Sequence, residues 1–440
     1  MVSLLIMLAI LLILFVLALK TSPIIVSPQV GFLIGFIVQI VFCLFYADDW
    51  RMNMDLKTIF TIVGGGALFC GISFLCDLIG RSIAPAKERR STGIGQNYIE
   101  VESYKLIILA CIQIIALAGY VLFLNANMNG TGLTAKIYDY RSRTADYGEV
   151  IPIPKVLSFC RLLSSASGYV LSLTFVYNLM NKTLRHRALF VLNIILSVLL
   201  EGILGARGGI MNFLIAIFAE VLIVRYLSLG KQMTIGAFMK VMLAGVCAIL
   251  ALPVIGALMG RPSLGLWYEI AVYVGAPLRN LNTFLSDPAN YSVRHASTLY
   301  YFLGDFSQFF KSFISIEAQK FPSKWQFLRD RTLGNVYTNY GLFWYDLAGW
   351  GVLIYVSVMA LLFRILYRNL LSVKEIGSIK GMLFVVLYVY FYSTLVFAFF
   401  GNRFYSQFFS LYTVKFVIAT ITVALFIMRV RVSVEGKALT

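Results

Sequence analysis

Long apolar runs, interrupted by short polar or glycine-rich turns, set the rhythm of this chain. Each run of about 18 residues or more can cross a hydrocarbon layer of about 30 Å as a helix. The runs do not alternate in polarity, as the strands of a membrane barrel would. The pattern predicts about eleven spans, near 2–19, 29–46, 58–79, 106–124, 156–180, 188–204, 209–226, 241–258, 341–363, 381–400 and 405–428. The fifth carries Arg161 and the eleventh Lys415. No basic head or small-residue cleavage site marks the first run as a signal peptide, so it is expected to be a retained helix. The expected fold is all-α: one polytopic transmembrane domain over 1–440, with a large, partly helical extracytoplasmic loop at 260–340.

Within that loop, 266–285 and 296–313 have helix-like amphipathic patterns, and both are expected to lie on the membrane surface or to re-enter it. Composition agrees with a membrane class. Hydrophobic residues make up 60% and charged residues 13%, against near half and a quarter in a soluble domain. The six cysteines fall inside apolar runs, with no CxxC pair, and read as small packing residues.

The net charge of +17 calls for a membrane explanation before a nucleic-acid one. Lys and Arg in alternate short loops number 19 on one side and 8 on the other. Because basic loops stay cytoplasmic, the amino terminus is expected outside and the carboxyl terminus in the cytoplasm. All five tryptophans (Trp50, Trp267, Trp325, Trp344, Trp350) then fall at or beyond the outer surface. So do the long loop and the glycine-rich turn Gly205-Ala-Arg207-Gly-Gly.

Candidate chemistry gathers on the same side. Arg207, Arg261, Arg279, Arg294, Arg329, Arg331 and Arg403, with Lys415, are cations that would suit a diphosphate if several converged on one cavity. Any one of them could instead be a solvated or interface-anchoring charge. A glycosyl transfer needs a group to take a hydroxyl proton, and His295 and Asp346 are the candidates. Glu201 reads better as an ion-pair partner orienting Arg207. Aromatic residues crowd the long loop, among them Trp325, Tyr337, Trp344 and Tyr345; they suit either sugar stacking or an interfacial belt. Asp48-Asp49 could hold a divalent metal but more simply forms a solvated turn, and there is no Walker loop, HExxH or GxSxG.

Three stretches make the chain resemble the Wzy-type oligosaccharide repeat-unit (O-antigen or exopolysaccharide) polymerases of bacteria. They are Gly205-Ala-Arg207-Gly-Gly; Tyr273-Val-Gly-Ala-Pro277-Leu-Arg279-Asn280-Leu-Asn282; and Asn335-Val-Tyr337-Thr338 followed by Tyr345-Asp346-Leu-Ala-Gly349-Trp-Gly351. The last departs from the family at Leu347-Ala348, where an aromatic and a glycine are expected. The resemblance implies an inverting, metal-independent and cofactor-free glycosyltransferase of the bacterial inner (plasma) membrane. It would move a growing glycan from undecaprenyl diphosphate to a sugar hydroxyl of the next lipid-linked unit. Arg207, Arg279 and Arg403, with Arg261, would hold the diphosphate; His295 or Asp346 would take the proton; the aromatic loop would hold the sugars. The implied partners are the undecaprenyl-diphosphate-linked oligosaccharide, the lipid bilayer and a chain-length regulator protein, with no nucleic acid. A lipid-linked oligosaccharide flippase and a metal-dependent lipid-phosphate-sugar glycosyltransferase using Asp48-Asp49 are the rival readings.

Overall fold

The structure is a computed structural model that describes residues 1–83, 98–145, 148–205, 207–229, 265–300, 302, 321–329 and 331–428. The span expected at 241–258, Arg261, and nearly all of 303–320 lie outside the described residues. The described helices are α1 (Val2–Thr21), α2 (Pro28–Phe45), α3 (Leu56–Ile83), α4 (Ser103–Asn127), α5 (Leu133–Ala145), α6 (Lys155–Met180), α7 (Arg187–Gly202) and α8 (Arg207–Leu229). They continue with α9 (Leu266–Val274), α10 (Ala276–Ser286), α11 (Thr338–Leu347), α12 (Gly349–Leu371), α13 (Ile379–Val396), α14 (Arg403–Phe408) and α15 (Leu411–Ile427).

Eight helices among the described residues are long and apolar enough to cross a membrane: α1 to α4, α6, α8, α12 and α13. Helix α15 is apolar but shorter, and α7 has 16 residues. The chain is thus a nearly all-helical polytopic membrane protein. One departure from the all-α expectation is a two-stranded antiparallel hairpin, β1 (Gln326–Leu328) with β2 (Arg331–Gly334).

Helix α13 is the axis of the bundle. Its 18-residue apolar window is 72% buried, against 22% for α1 and 33% for α3 and α12, and it packs against α2, α6, α8, α12 and α15. Large rings on several sides of it (Tyr388, Tyr390, Phe391, Tyr392) are buried. Because lipid tails are as apolar as Leu, burial alone does not hold such helices together; close packing and interhelical hydrogen bonds contribute. Gly168 of α6 illustrates the first: a Cβ there would come within 2.8 Å of Ser197 on α7 and 2.9 Å of Phe213 on α8. Gln39 of α2 illustrates the second, donating to the Val274 and Phe399 carbonyls at 3.1 and 2.9 Å.

The segment 266–285 is not one amphipathic surface helix. It breaks at Gly275 into α9 and α10, with Pro277 in the first turn of α10. Gly275 sits where a Cβ would meet the Trp50 ring at 2.9 Å, and Leu278 and Leu281 are fully buried. Helix α10 is therefore packed into protein, against α2, α3, α11 and β2, and Asn280 donates to the Leu333 and Val336 carbonyls at 3.0 Å each. Trp50, expected at the interface, is 2% exposed beneath it.

Two expected spans are also interrupted near this end of the bundle. The ninth, predicted from 341, splits at Ala348 into α11 and α12. Ala348 adopts φ 52°, the left-handed region that glycine occupies without cost, and Gly351 lies so close to the Phe343 carbonyl that no side chain fits. The eleventh, predicted from 405, divides into α14 and α15, with Ser410 capping α15 through the Thr413 N–H. The α2–α3 turn, α5, α9, α10, the hairpin, α11 and α14 all gather at this one end.

Candidate functional site

The turn between α7 and α8 is built by its glycines. Gly205 has φ +74°, which lets the chain reverse within a few residues. A Cβ at Gly208 would collide with the Arg403 guanidinium, and one at Gly209 would lie 2.7 Å from Glu201 Oε2. The motif thus opens the start of α8 so that a cation from α14 and a carboxylate from α7 can press onto its backbone.

Beside this turn lies a cavity of about 720 Å³, enclosed by α4, α6, α7, α8, α13, α14 and α15. Four cations line it: Lys155 and Arg161 of α6, Arg403 of α14 and Lys415 of α15. Among the described residues, Glu201 is the one carboxylate in the lining, and its Oε2 lies 3.6 Å from Arg161 Nη2. Tyr120, Tyr169, Tyr390 and Tyr412 supply aromatic walls, with Asn212 and Gln407 between them. Lys155 and Tyr169 are 14 residues apart on one helix, so at 1.5 Å per residue the cavity runs about 21 Å along α6. Arg161 and Arg403 are partly buried while Lys155 and Lys415 are exposed, and charges gathered within a membrane bundle mark function more often than architecture.

Arg403 contacts aromatic rings and not a carboxylate. Its guanidinium lies over the Phe397 and Phe400 rings at 5.0 and 5.4 Å, and among the described residues no carboxylate lies within ion-pair distance of it. Burial, followed by the nearby charge of Arg141, pushes it down to about 10. It is still charged at neutral pH, so an anion in the cavity would relieve an unfavourable field. Phe159 in the lining is 62% exposed, and Val156 of α6 and Val414 and Ile418 of α15 are exposed apolar residues of the same two helices.

Of the expected arginines within the described residues, Arg207, Arg279 and Arg403, only Arg403 lines the cavity; Arg261 lies outside them. Arg207 is 7% exposed and turned toward α9, with Nη1 3.9 Å from Glu269 Oε2 and its guanidinium 5.2 Å from the Tyr273 ring centre. The expected Glu201–Arg207 pair is therefore replaced by two others, Glu201–Arg161 and Glu269–Arg207. The reason is register: Glu201 is in the last turn of α7 and faces α6, whereas Arg207 opens α8 and faces the long loop. Arg279 lies elsewhere, donating to the Trp50 carbonyl and Thr283 Oγ1, both at 3.2 Å.

The remaining expected residues form a second centre around α11. Both Asp346 oxygens accept backbone N–H bonds, from Ser297 at 2.8 Å and Thr298 at 2.7 Å, and the side chain is fully buried. The His295 ring stacks on Tyr345 at 4.1 Å and lines a separate cavity of about 250 Å³ with Tyr337 and Lys324. Tyr337 packs edge-on against Phe284 and Phe321, while Trp344 donates to Thr61 Oγ1 and meets Tyr291 edge-on. Trp325 is 48% exposed. Asp48 and Asp49 are exposed, and among the described residues no three His, Cys, Asp or Glu side chains cluster as a metal site.

Sequence reasoning passed over Arg161 and Lys155 as site residues. Arg161 carried a signal, a lone charge inside a predicted span. Lys155 carried none, sitting among ordinary loop cations. Comparisons with protein-family models, curated proteins and solved structures gave no match to this chain. Its class rests on the fold: a polytopic helical membrane protein with a cation-lined cavity at one end.

Proposed function

We propose that this chain is a membrane glycosyltransferase of the repeat-unit polymerase kind, acting on glycans carried by undecaprenyl diphosphate. The observation that carries the reading is the cavity lined, among the described residues, by four cations and one carboxylate. A diphosphate is a compact multiple anion, and arginine and lysine in a water-poor site stabilise the charge that develops on it as the sugar leaves. Exposed apolar residues on α6 and α15, such as Phe159 in the lining, suit a substrate that arrives on a polyprenyl tail, and the tyrosine walls suit sugar rings. Arg403 and Arg161 are the principal diphosphate ligands, Lys155 and Lys415 add charge, and Arg207 supports the wall through Glu269. The reaction is inverting and metal-independent. It takes place at the outer face of a bacterial plasma membrane, with the amino terminus outside and the carboxyl terminus in the cytoplasm.

The test is to incubate the purified protein in detergent with a lipid-diphosphate oligosaccharide and resolve the products on a gel. A ladder of lengthened glycans supports the proposal. Lipid movement in vesicles without a ladder points to a flippase, and a ladder abolished by EDTA points to a metal-dependent transferase. Reporter fusions at Lys182 and Asp287 are expected to report opposite sides, and the same side from both would overturn the orientation.

A further inference from the structure

We infer that Glu201 is the group that takes the proton from the acceptor hydroxyl, an assignment that rests on the transferase reading above. Among the described residues, Glu201 is the one carboxylate lining the cavity. Its side chain is 13% exposed, and Oε2 lies 3.6 Å from Arg161 Nη2. It also presses on Gly209, next to the Gly208 backbone that receives Arg403. The carboxylate therefore lies beside Arg161, and it touches α8 one residue from where Arg403, the other guanidinium that would hold the leaving diphosphate, does. The charged and titratable groups facing it are Arg161 and Tyr169 from α6, Tyr120 from α4, Tyr390 from α13, Arg403 from α14, and Tyr412 and Lys415 from α15.

The other acids and the long-loop histidine are committed elsewhere. Asp346 is fully buried, with each oxygen accepting a backbone N–H. His295 opens on the separate 250 Å³ cavity. Glu269 pairs with Arg207, and Glu220, fully buried in α8, does not reach the large cavity.

In the step this implies, the acceptor hydroxyl oxygen forms a bond to the anomeric carbon of the donor sugar. The bond from that carbon to the diphosphate oxygen breaks, and its electron pair stays on the phosphate, beside Arg403 and Arg161. The hydroxyl proton moves to the Glu201 carboxylate and later leaves to water, so the lipid diphosphate departs with the negative charge.

The test compares initial rates of glycan lengthening by the detergent-purified protein on a lipid-diphosphate oligosaccharide. Glu201→Gln is expected to lower kcat by about 10²- to 10⁴-fold, the usual worth of a positioned base, with KM for the lipid substrate within about threefold. Sodium formate is expected to restore at least about tenfold of the rate lost by Glu201→Ala. A kcat for Glu201→Gln within about threefold of wild type would overturn the assignment. So would a rate loss that formate does not rescue, with KM rising as it does in Arg161→Gln; Glu201 would then serve the ion pair alone. If Glu201→Gln fails to accumulate, Glu201→Asp decides: a lower kcat at unchanged KM supports the base, and unchanged kcat overturns it. A wild-type protein that makes no ladder removes the transferase reading and this assignment together, whereas a ladder made equally by Glu201→Gln removes only the assignment.

Discussion

The α7–α8 cavity and the α11 centre hold the same kinds of residue, yet they use them differently. In the cavity, no carboxylate among the described residues pairs with Arg403 or Lys415, and both face open volume. Around α11, Asp346 caps the backbone of 297–298, His295 lies flat on Tyr345, and Tyr337 accepts from Gln326 at 2.8 Å while donating to the Lys324 carbonyl at 2.7 Å. Polar side chains satisfied within the protein hold shape; those left facing a cavity are available to a ligand. The comparison assigns chemistry to the first region and architecture to the second.

The largest expected effect is at Arg403. Arg403→Met removes a charge aimed at the cavity and is expected to slow glycan lengthening by about 10²- to 10³-fold, as loss of one transition-state donor does, with normal accumulation of protein. Gly208→Ala should mimic it, since the new Cβ displaces the guanidinium. A hundredfold loss from His295→Ala instead would break the comparison.

Next comes Asp346. Asp346→Ala leaves two buried N–H groups without acceptors and is expected to cost about 2–4 kcal/mol of stability, read as a lower melting temperature in detergent, while rate per folded molecule changes little. Burial raises the Asp346 carboxyl above the usual aspartate range, and bonds from Thr298, Ser297 and Tyr355 offset part of that. The protonated form is thus the one favoured on folding. Its contribution is fully present below the unfolded aspartate value and is lost as pH rises through the raised value. Wild type should therefore gain melting temperature on acidification through that window, and Asp346→Asn should lack the gain.

His295→Ala should cost about 0.5–1.5 kcal/mol, the scale of one stacked ring pair, and leave lengthening within about threefold. The smallest effect is a gain: Ala348→Gly relieves a left-handed φ and should stabilise by about 1 kcal/mol, without altering the rate.

Legibility in the sequence followed the range of the physics. Ten of the expected spans begin within three residues of a described helix, though the ninth and eleventh are interrupted further along, because a long apolar run in lipid must satisfy its backbone within itself. The interruptions at Gly275, Ala348 and Phe409-Ser410 were not legible. The first depends on Trp50, far away in the chain beneath Gly275, while the other two turn on local geometry, the φ of Ala348 and the Ser410 cap, that an apolar run does not reveal. The glycine-rich turn around Arg207 was recognisable as a tight turn between two helices, but its pairing was not. Glu201 and Arg207 are six residues apart, yet they answer to different neighbours, Arg161 from α6 and Glu269 from α9.

By itself the sequence determined the class, the positions of most spans and the turn where cations gather, since these follow from local hydropathy and glycine geometry. Only the tertiary structure decided which charges share a cavity. That depends on which faces of α6, α7, α8, α14 and α15 meet, and helix rotation in a membrane bundle is set by packing between helices and not by any one apolar run.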